Sequence, residues 1–280
     1  MHRHVWVRLS LVLGGPLLWM VVVYLGALGF LFVNAFWKVD PFSGLIQRQW
    51  GFTNFQTLWR ESVYRIIVFR TAGIAAAVTI ADVALGLPLA YYVVRIAKPR
   101  VRNALLLSVV LPLWASYLVR VFAWQIILTP NGILNWSVEK LHLGHLQIGS
   151  SNWAIWLTFT YLWLPFMTLP IAAALERLPS SYLEASSDLG GRGWMTFRRI
   201  VWPLTLPGIV AGSIFTFSLT LGDYIAPQLV GNTKFIGNVV YESVGVANNV
   251  PFAAAFALVP VAIMAFYLLI AKRLGAFEAL

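Results

Sequence analysis

The sequence has no cysteine among its 280 residues, and charged residues make up only 11% of it. Disulfides, thiolate metal sites and cysteine nucleophiles are therefore excluded. Hydrophobic residues make up 60%, which is more than a soluble domain needs to fill one core. The net charge of +10 falls in short basic clusters between long apolar runs, a pattern typical of membrane edges rather than of a nucleic-acid-binding stripe. We therefore expect an integral membrane protein that binds lipid and no nucleic acid.

Motifs of the common enzyme classes are also missing. The sequence has no G-x-x-x-x-G-K-[ST] phosphate loop, no G-x-S-x-G nucleophile elbow and no H-E-x-x-H zinc motif. Glu139, His142 and His145 are better interpreted as part of an amphipathic interfacial piece than as metal ligands. We expect no catalytic residue, no metal site and no cofactor on this chain.

Long apolar runs define the architecture. A helix needs about 20 largely apolar residues to cross a bilayer, and six runs are long enough: Leu9 to Phe32, Thr71 to Val94, Ala104 to Ile127, Trp153 to Leu175, Leu204 to Gly222, and Phe252 to Ala271. The first run is too long for a cleaved signal peptide, so we expect it to be retained. The sequence predicts an all-α membrane protein of about six transmembrane helices, with residues 1–280 forming a single transmembrane domain.

Lys and Arg predict the orientation. An even number of spans places both termini on one side, and most basic clusters fall in segments on that side. Five basic residues between 38 and 70 weaken the rule locally without reversing it. Because basic residues accumulate in cytoplasmic loops, we expect both termini to be cytoplasmic.

The connection between spans four and five has the most informative chemistry. Ser181-x-x-Glu184 matches a capping box, with Pro179 just ahead of it. Gly190 and the next glycine are expected to end that helix, because glycine accepts the left-handed conformation. A second short helix, Trp194 to Trp202, is predicted before Pro203 opens span five. On chemistry alone the segment is an ordinary capped helical loop on the cytoplasmic face.

The same segment resembles the EAA loop of ABC importer permeases, which reads roughly E-A-A, three residues, G, nine residues, I-x-L-P. The matching positions are Glu184, Ala185, Gly190, Ile200 and Pro203, while Ser186 replaces the second alanine and Trp202 the leucine. The resemblance implies that residues 176–203, here called the 176–203 loop, dock on a cytoplasmic ATPase subunit. Asp188 is included among the coupling residues that it implies.

Other segments resemble spermidine/putrescine-type permeases: residues 111–120, 131–135 and 222–231. This resemblance implies a type I (MetI-like) ABC importer permease in a bacterial inner membrane. It further implies a homologous second permease subunit, two ATPase subunits that hold ATP and magnesium, and an extracytoplasmic solute-binding protein. A polyamine is the implied substrate. Another small solute such as an opine, an amino acid or iron is the alternative, and an ATP-independent channel or secondary transporter is a weaker one.

A polyamine path needs carboxylates or aromatic faces to replace part of the water around its ammonium groups. Asp223 and Tyr224, at the outer end of span five, are the favoured pair, although Asp223 also suits a helix cap. The remaining candidates are Asp82, which could instead be buried and neutral or helix-paired, and Trp114 and Tyr117, which could instead be packing residues. Glu242, in an outer loop, could contact either the substrate or a docking protein. Glu176 beside Arg177 is interpreted as an ordinary ion pair at the cytoplasmic edge.

Overall fold

The computed structural model describes residues 3–40, 42–142, 144, 146 and 148–273, with side chains from residue 12 onward. Its first half contains seven α-helices and one two-stranded antiparallel hairpin: α1 Arg3–Met20, α2 Gly26–Asn34, β1 Lys38–Val39, β2 Ile46–Gln47, α3 Thr53–Arg60, α4 Ser62–Tyr91, α5 Pro99–Val110, α6 Tyr117–Ile127 and α7 Ile133–Lys140. A π-helical turn, Val21–Leu25, joins α1 to α2, and another, Tyr92–Ile96, follows α4. The chain is therefore helical almost throughout this half.

The second half is helical throughout its described elements: α8 Asn152–Glu176, α9 Ser180–Asp188, α10 Gly193–Thr196, α11 Trp202–Gly222, α12 Ile225–Val230, α13 Ile236–Gly245 and α14 Val250–Arg273. A third π-helical turn, Phe197–Val201, joins α10 directly to α11. Four of the helices are too short to cross a bilayer, and they connect the long ones.

Five helical segments of the described chain are long and apolar enough to cross a membrane: Val12–Asn34, Ser62–Ile96, Asn152–Glu176, Gly193–Gly222 and Val250–Arg273. A sixth candidate is the pair Pro99–Trp114 and Tyr117–Ile127, which passes the same test only when the two helices are taken together. These segments confirm the predicted all-α architecture of about six membrane helices.

The third span differs from its prediction, because Ala104 to Ile127 is not one helix. It is broken after the 3₁₀ turn Leu111–Trp114, and the two halves meet at 100°. Pro112 lacks an N–H, Ala115 is extended, and Ser116 is also non-helical. The chain therefore leaves the helical path for two residues before α6 begins.

By its internal contacts the chain divides into two units, Met1–Arg65 with Val239–Val259, and Ile66–Asn238 with Pro260–Leu280. In the first unit, the side-chain amide of Asn54 donates to the carbonyls of Ala35 and Trp37, at 2.9 and 2.7 Å. These bonds hold the segment after α2 against α3. The prediction of a single domain over 1–280 stays a prediction.

The second unit contains the main packed core, built on α8. Phe159, Leu162, Met167 and Ile171 of this helix are fully buried. Small residues let α11 approach α8 closely, since a Cβ at Gly208 would lie 2.7 Å from the Pro170 carbonyl oxygen, and one at Gly212 would lie 2.9 Å from Met167 Cα. Close contact through small residues is a common way for membrane helices to associate.

Candidate functional site

The 176–203 loop begins where α8 ends at Glu176, and its first helix is α9. Glu184, Ala185 and Asp188 are exposed on α9. The predicted capping box is wrong, because the N-cap is Pro179, which makes no side-chain hydrogen bond. Ser181 is already the second helical residue, so the Ser181-x-x-Glu184 spacing is displaced by two residues from the position that a capping box requires.

The glycine bend that follows α9 is confirmed. Gly190 has a φ of +71°, in the left-handed region that glycine enters without steric cost. The Gly191 N–H donates to the Ser186 carbonyl at 2.8 Å, and the Leu189 N–H donates to the Ala185 carbonyl at 3.1 Å. These bonds satisfy carbonyls at the end of α9 and turn the chain sharply.

The second helix of the loop is longer than predicted. α10 continues through the π-helical turn Phe197–Val201 into α11, so the predicted separate helix Trp194 to Trp202 is wrong. Pro203 lies at the start of α11 within this continuous helical path. A proline inside a helix clashes with a preceding carbonyl, and a wider π-helical turn directly before Pro203 gives that carbonyl more room.

The two arms of the bend are fastened to each other and enclose a groove. The hydroxyl groups of Ser186 and Thr196 form a hydrogen bond of 2.8 Å between α9 and α10. The groove has a volume of about 640 Å³, and its lining includes Ala185, Leu189, Ile200 and Pro203. Leu189 is 89% exposed and Trp194 is 72% exposed. The loop therefore presents an apolar surface that its own chain leaves uncovered.

Two arginines contact the start of this loop, and the sequence analysis predicted neither contact. Arg102 forms an ion pair with Glu176, so the predicted pairing of Glu176 with Arg177 is wrong. Arg95 donates hydrogen bonds to the carbonyls of Leu175 and Leu178. A local sequence pattern cannot predict either contact, because the partners are more than 70 residues apart in sequence.

A second candidate site surrounds Asp223, which directly follows α11. The N–H groups of Ile225 and Ala226 donate to its Oδ1 at 2.8 and 3.0 Å, and the Tyr117 hydroxyl donates to its Oδ2. The Tyr224 carbonyl accepts a hydrogen bond of 2.8 Å from the Asn238 amide. The structure thus brings Asp223, Tyr224 and Tyr117 together at the start of α12, and Asp223 caps that helix.

Aromatic and cationic side chains lie around Tyr117, whose hydroxyl donates to Asp223. The Tyr117 ring is stacked on Trp163, with centroids 6.0 Å apart and an interplanar angle of 9°. Arg120 lies one turn after Tyr117 on α6, and its Nε and Nη1 are buried without a hydrogen-bond partner in the described part of the chain. Trp114, by contrast, is 86% exposed and does not join this cluster.

The remaining acidic candidates belong to other helices. Asp82 of α4 is fully buried, and neither carboxylate oxygen has a hydrogen-bond partner among the residues that the structure describes. Glu242 lies in α13 and is half-buried. An unpartnered buried carboxylate is costly, which separates Asp82 from the fully hydrogen-bonded Asp223.

Comparison with known proteins places this architecture in a family. Residues 82–277 match the family described as binding-protein-dependent transport system inner membrane component. The chain is similar to the inner membrane ABC transporter permease protein YdcU of Escherichia coli (strain K12), with 46% identity over 97% of this chain and 91% of the relative. It is also similar to the spermidine/putrescine transport system permease protein PotB of Haemophilus influenzae, with 31% identity over 75% of each chain.

The fold matches a solved structure too. A crystal structure of a bacterial ABC transporter involved in the import of the acidic polysaccharide alginate superposes with a TM-score of 0.75, at 17% identity, over 97% of this chain and 96% of that one. This likeness shows the fold of an ABC importer permease and not the substrate. The chain belongs to the binding-protein-dependent transport system inner membrane component family, and it is a multi-pass permease subunit of an ABC importer rather than an enzyme.

Proposed function

We propose that this permease subunit imports a small cationic solute of the polyamine class. The observation that carries this proposal is the site at Asp223, where an acidic side chain next to two tyrosines follows the last residue of α11. Carboxylates and aromatic faces are the groups that replace water around an ammonium ion. The similarity to PotB, a spermidine/putrescine permease by name, supports the same substrate class.

The 176–203 loop is proposed to transmit ATP-driven closure to the membrane helices. In this proposal both termini and the loop are cytoplasmic, and the loop docks on one of two partner ATPase subunits that bind ATP and magnesium. Its groove, lined in part by Ala185, Leu189 and Ile200, and the exposed Glu184 beside Ala185 in sequence support a protein contact there. A homologous second permease subunit and an extracytoplasmic binding protein complete the importer, which works by alternating access.

The substrate proposal is tested with labelled putrescine and spermidine. Uptake is measured in cells with and without this chain, with its partner subunits supplied in both. ATP-dependent uptake that disappears with the chain is the expected result. The Asp223→Asn variant should then take up both solutes less well at equal membrane abundance. Unchanged uptake kinetics in that variant would remove Asp223 from the path.

The coupling role is tested separately with Gly190→Pro. Proline cannot take the φ of +71° that Gly190 has, because its ring holds φ near −65°. We expect the variant to insert in the membrane but to lose ATP-driven import. Normal coupled uptake by this variant would refute the docking role of the loop.

A second candidate substrate is a solute that carries both an amino group and a carboxylate, such as an amino acid or an opine. Arg120 favours it, because the buried Nε and Nη1 of this cation have no acceptor in the described chain, one turn from the tyrosine that binds Asp223. A zwitterion would offer an anion to Arg120 and a cation to Asp223. Competition of unlabelled amino acids against labelled putrescine distinguishes the two classes.

A further inference from the structure

We infer that Arg95 is a positioning residue that makes the second membrane span follow the 176–203 loop. This inference rests on the proposed docking of that loop on an ATPase subunit. Arg95 lies in the π-helical turn Tyr92–Ile96 that follows α4. It contacts neither a ligand nor a partner subunit in this inference, and it acts only through the end of α8.

The contact consists of two hydrogen bonds from one guanidinium nitrogen. One terminal nitrogen, Nη2, donates to the carbonyl oxygens of Leu175 and Leu178, at 2.5 Å each. Arg177, the C-cap of α8, lies between these two residues. Arg95 therefore holds the last turn of α8 and the first turn of the chain beyond it, where the 176–203 loop begins.

The chemistry of a helix end explains why an arginine suits this position. The last carbonyls of a helix have no partner within it, and the helix dipole makes its C-terminus favourable for a positive charge. Nη2 carries two N–H groups in a fixed plane, one for each carbonyl. Arg95 is half-buried, and its Nε is buried without a partner in the described chain, so the two carbonyls offset part of the cost of taking this guanidinium out of water.

Apolar side chains also pack between α4 and the end of α8, but such packing does not fix the relative position of the two helices. Leu87 and Ala90 of α4 share one buried cluster with Leu175, Leu178 and Val201. Hydrophobic contact is non-directional, so the surfaces of such a cluster can slide past one another. Two hydrogen bonds to neighbouring carbonyls cannot slide without breaking. Arg95 thus adds directional hydrogen bonds to an apolar contact and links the C-terminal end of α4 to the start of the 176–203 loop.

The consequence is mechanical. A displacement of the 176–203 loop pulls on the end of α8, and through Arg95 it also pulls on α4. Without the guanidinium, the loop still docks, but α4 no longer follows it. ATP hydrolysis then continues while import per ATP falls, which is a coupling defect rather than a folding defect.

The experiment uses the complete importer with its partner subunits in proteoliposomes. Arg95→Gln removes the charge and shortens the side chain so that it no longer reaches the two carbonyls, Arg95→Lys keeps the charge but not the planar fork, and Arg102→Gln is the matched control. Arg102 is a comparable control because it forms an exposed ion pair at Glu176, and exposed pairs contribute little. Complex yield and labelled putrescine imported per ATP hydrolysed are measured for each variant.

A substrate-independent readout uses the absence of native cysteine. Spin labels at Ser187→Cys on α9 and Ile80→Cys on α4, two exposed positions, report their separation with and without ATP and vanadate. In the labelled protein that keeps Arg95, and in its Arg102→Gln variant, the separation should be the same with and without nucleotide. In the Arg95→Gln variant, the separation should change when nucleotide is added. Import per ATP should fall about tenfold in Arg95→Gln, since a hydrogen bond to a charged group contributes about 1.5 kcal/mol or more, and less in Arg95→Lys.

The results for the Arg95 variants test the positioning role of Arg95 directly. Normal import per ATP and a constant label separation in Arg95→Gln would overturn the inference. Equal loss of complex yield in Arg95→Gln and Arg95→Lys would assign Arg95 a purely structural role and overturn it too. The Gly190→Pro variant, measured alongside, separates the two proposals: if Gly190→Pro uncouples and Arg95→Gln does not, only the role of Arg95 fails. If neither uncouples, the docking role of the loop fails.

Discussion

Replacing Gly212 by alanine should separate α8 from α11. An added Cβ would lie 2.8 Å from Met167 Sδ, 2.9 Å from Met167 Cα and 3.1 Å from the Met167 carbonyl oxygen. Non-bonded carbon atoms prefer separations of about 3.5 to 4.0 Å, so the helices must part by several tenths of an ångström. The Met167 side chain can rotate away, but its Cα is backbone and moves only with the whole of α8.

The magnitude follows from a comparison with Gly73→Ala. Gly73 lies within α4 and has nothing within 4 Å of its added Cβ. Both variants gain the same helix propensity, so the difference between them isolates the contact with Met167. Overpacking of this kind costs about 1 to 3 kcal/mol. At about 2 to 4 °C per kcal/mol, the apparent Tm of Gly212→Ala should be about 2 to 12 °C below that of Gly73→Ala.

The assay is thermal unfolding of the detergent-solubilised importer, followed by size-exclusion chromatography of heated samples. Membrane insertion of both variants is checked first, so that only inserted protein enters the comparison. An equal apparent Tm for Gly212→Ala and Gly73→Ala would refute the reasoning, because it would mean that α8 and α11 do not touch at Gly212.

Three further predictions concern single side chains. At Gly190, asparagine should keep the bend and valine should lose it, because a φ of +71° suits asparagine and disfavours β-branched residues; protease cleavage of the loop measures this. Hydrogen bonds from the N–H groups of Ser43 and Phe42 lower the pKa of Asp40 below its ordinary 3.8. The hairpin stabilisation from Asp40 is therefore complete above pH 3.8 and lost as the pH falls through the lowered pKa, so proteolysis of the hairpin should accelerate at pH 2, and less so in Asp40→Asn. Tyr117→Phe leaves Asp223 Oδ2 without its donor and should raise the half-saturating putrescine concentration about fivefold, given about 1 kcal/mol per hydrogen bond; initial uptake rates at several concentrations test this.

The membrane helices could be predicted because hydrophobic length is a local property. The predicted span Trp153 to Leu175 lies inside the observed helix Asn152–Glu176, with one residue added at each end. The break in the third span could not be predicted in the same way. Pro88 and Pro165 lie within continuous helices, whereas the chain leaves the helix after Pro112, so proline alone does not identify a break.

In the candidate site, too, the features decided by neighbouring residues could be predicted, and the contacts between distant residues could not. Gly190 was predictable because the left-handed conformation at a helix end is decided by one residue and its immediate neighbours. The capping box failed for a local reason, since the helix starts at Ser180 and the motif is out of register with it. The contacts of Arg95 with Leu175 and Leu178 join residues 80 and 83 positions apart, and only the packing of whole helices brings them together.

The 100° bend between α5 and α6 has a consequence for solvation. α5 has 12 residues and α6 has 11, so at about 1.5 Å per residue each is shorter than the roughly 30 Å hydrocarbon core. Neither half crosses a bilayer alone. Ala115 and Ser116, non-helical and exposed at the junction, carry peptide groups that hydrocarbon cannot solvate. Within the membrane the junction between α5 and α6 must therefore contact water or another protein chain rather than lipid.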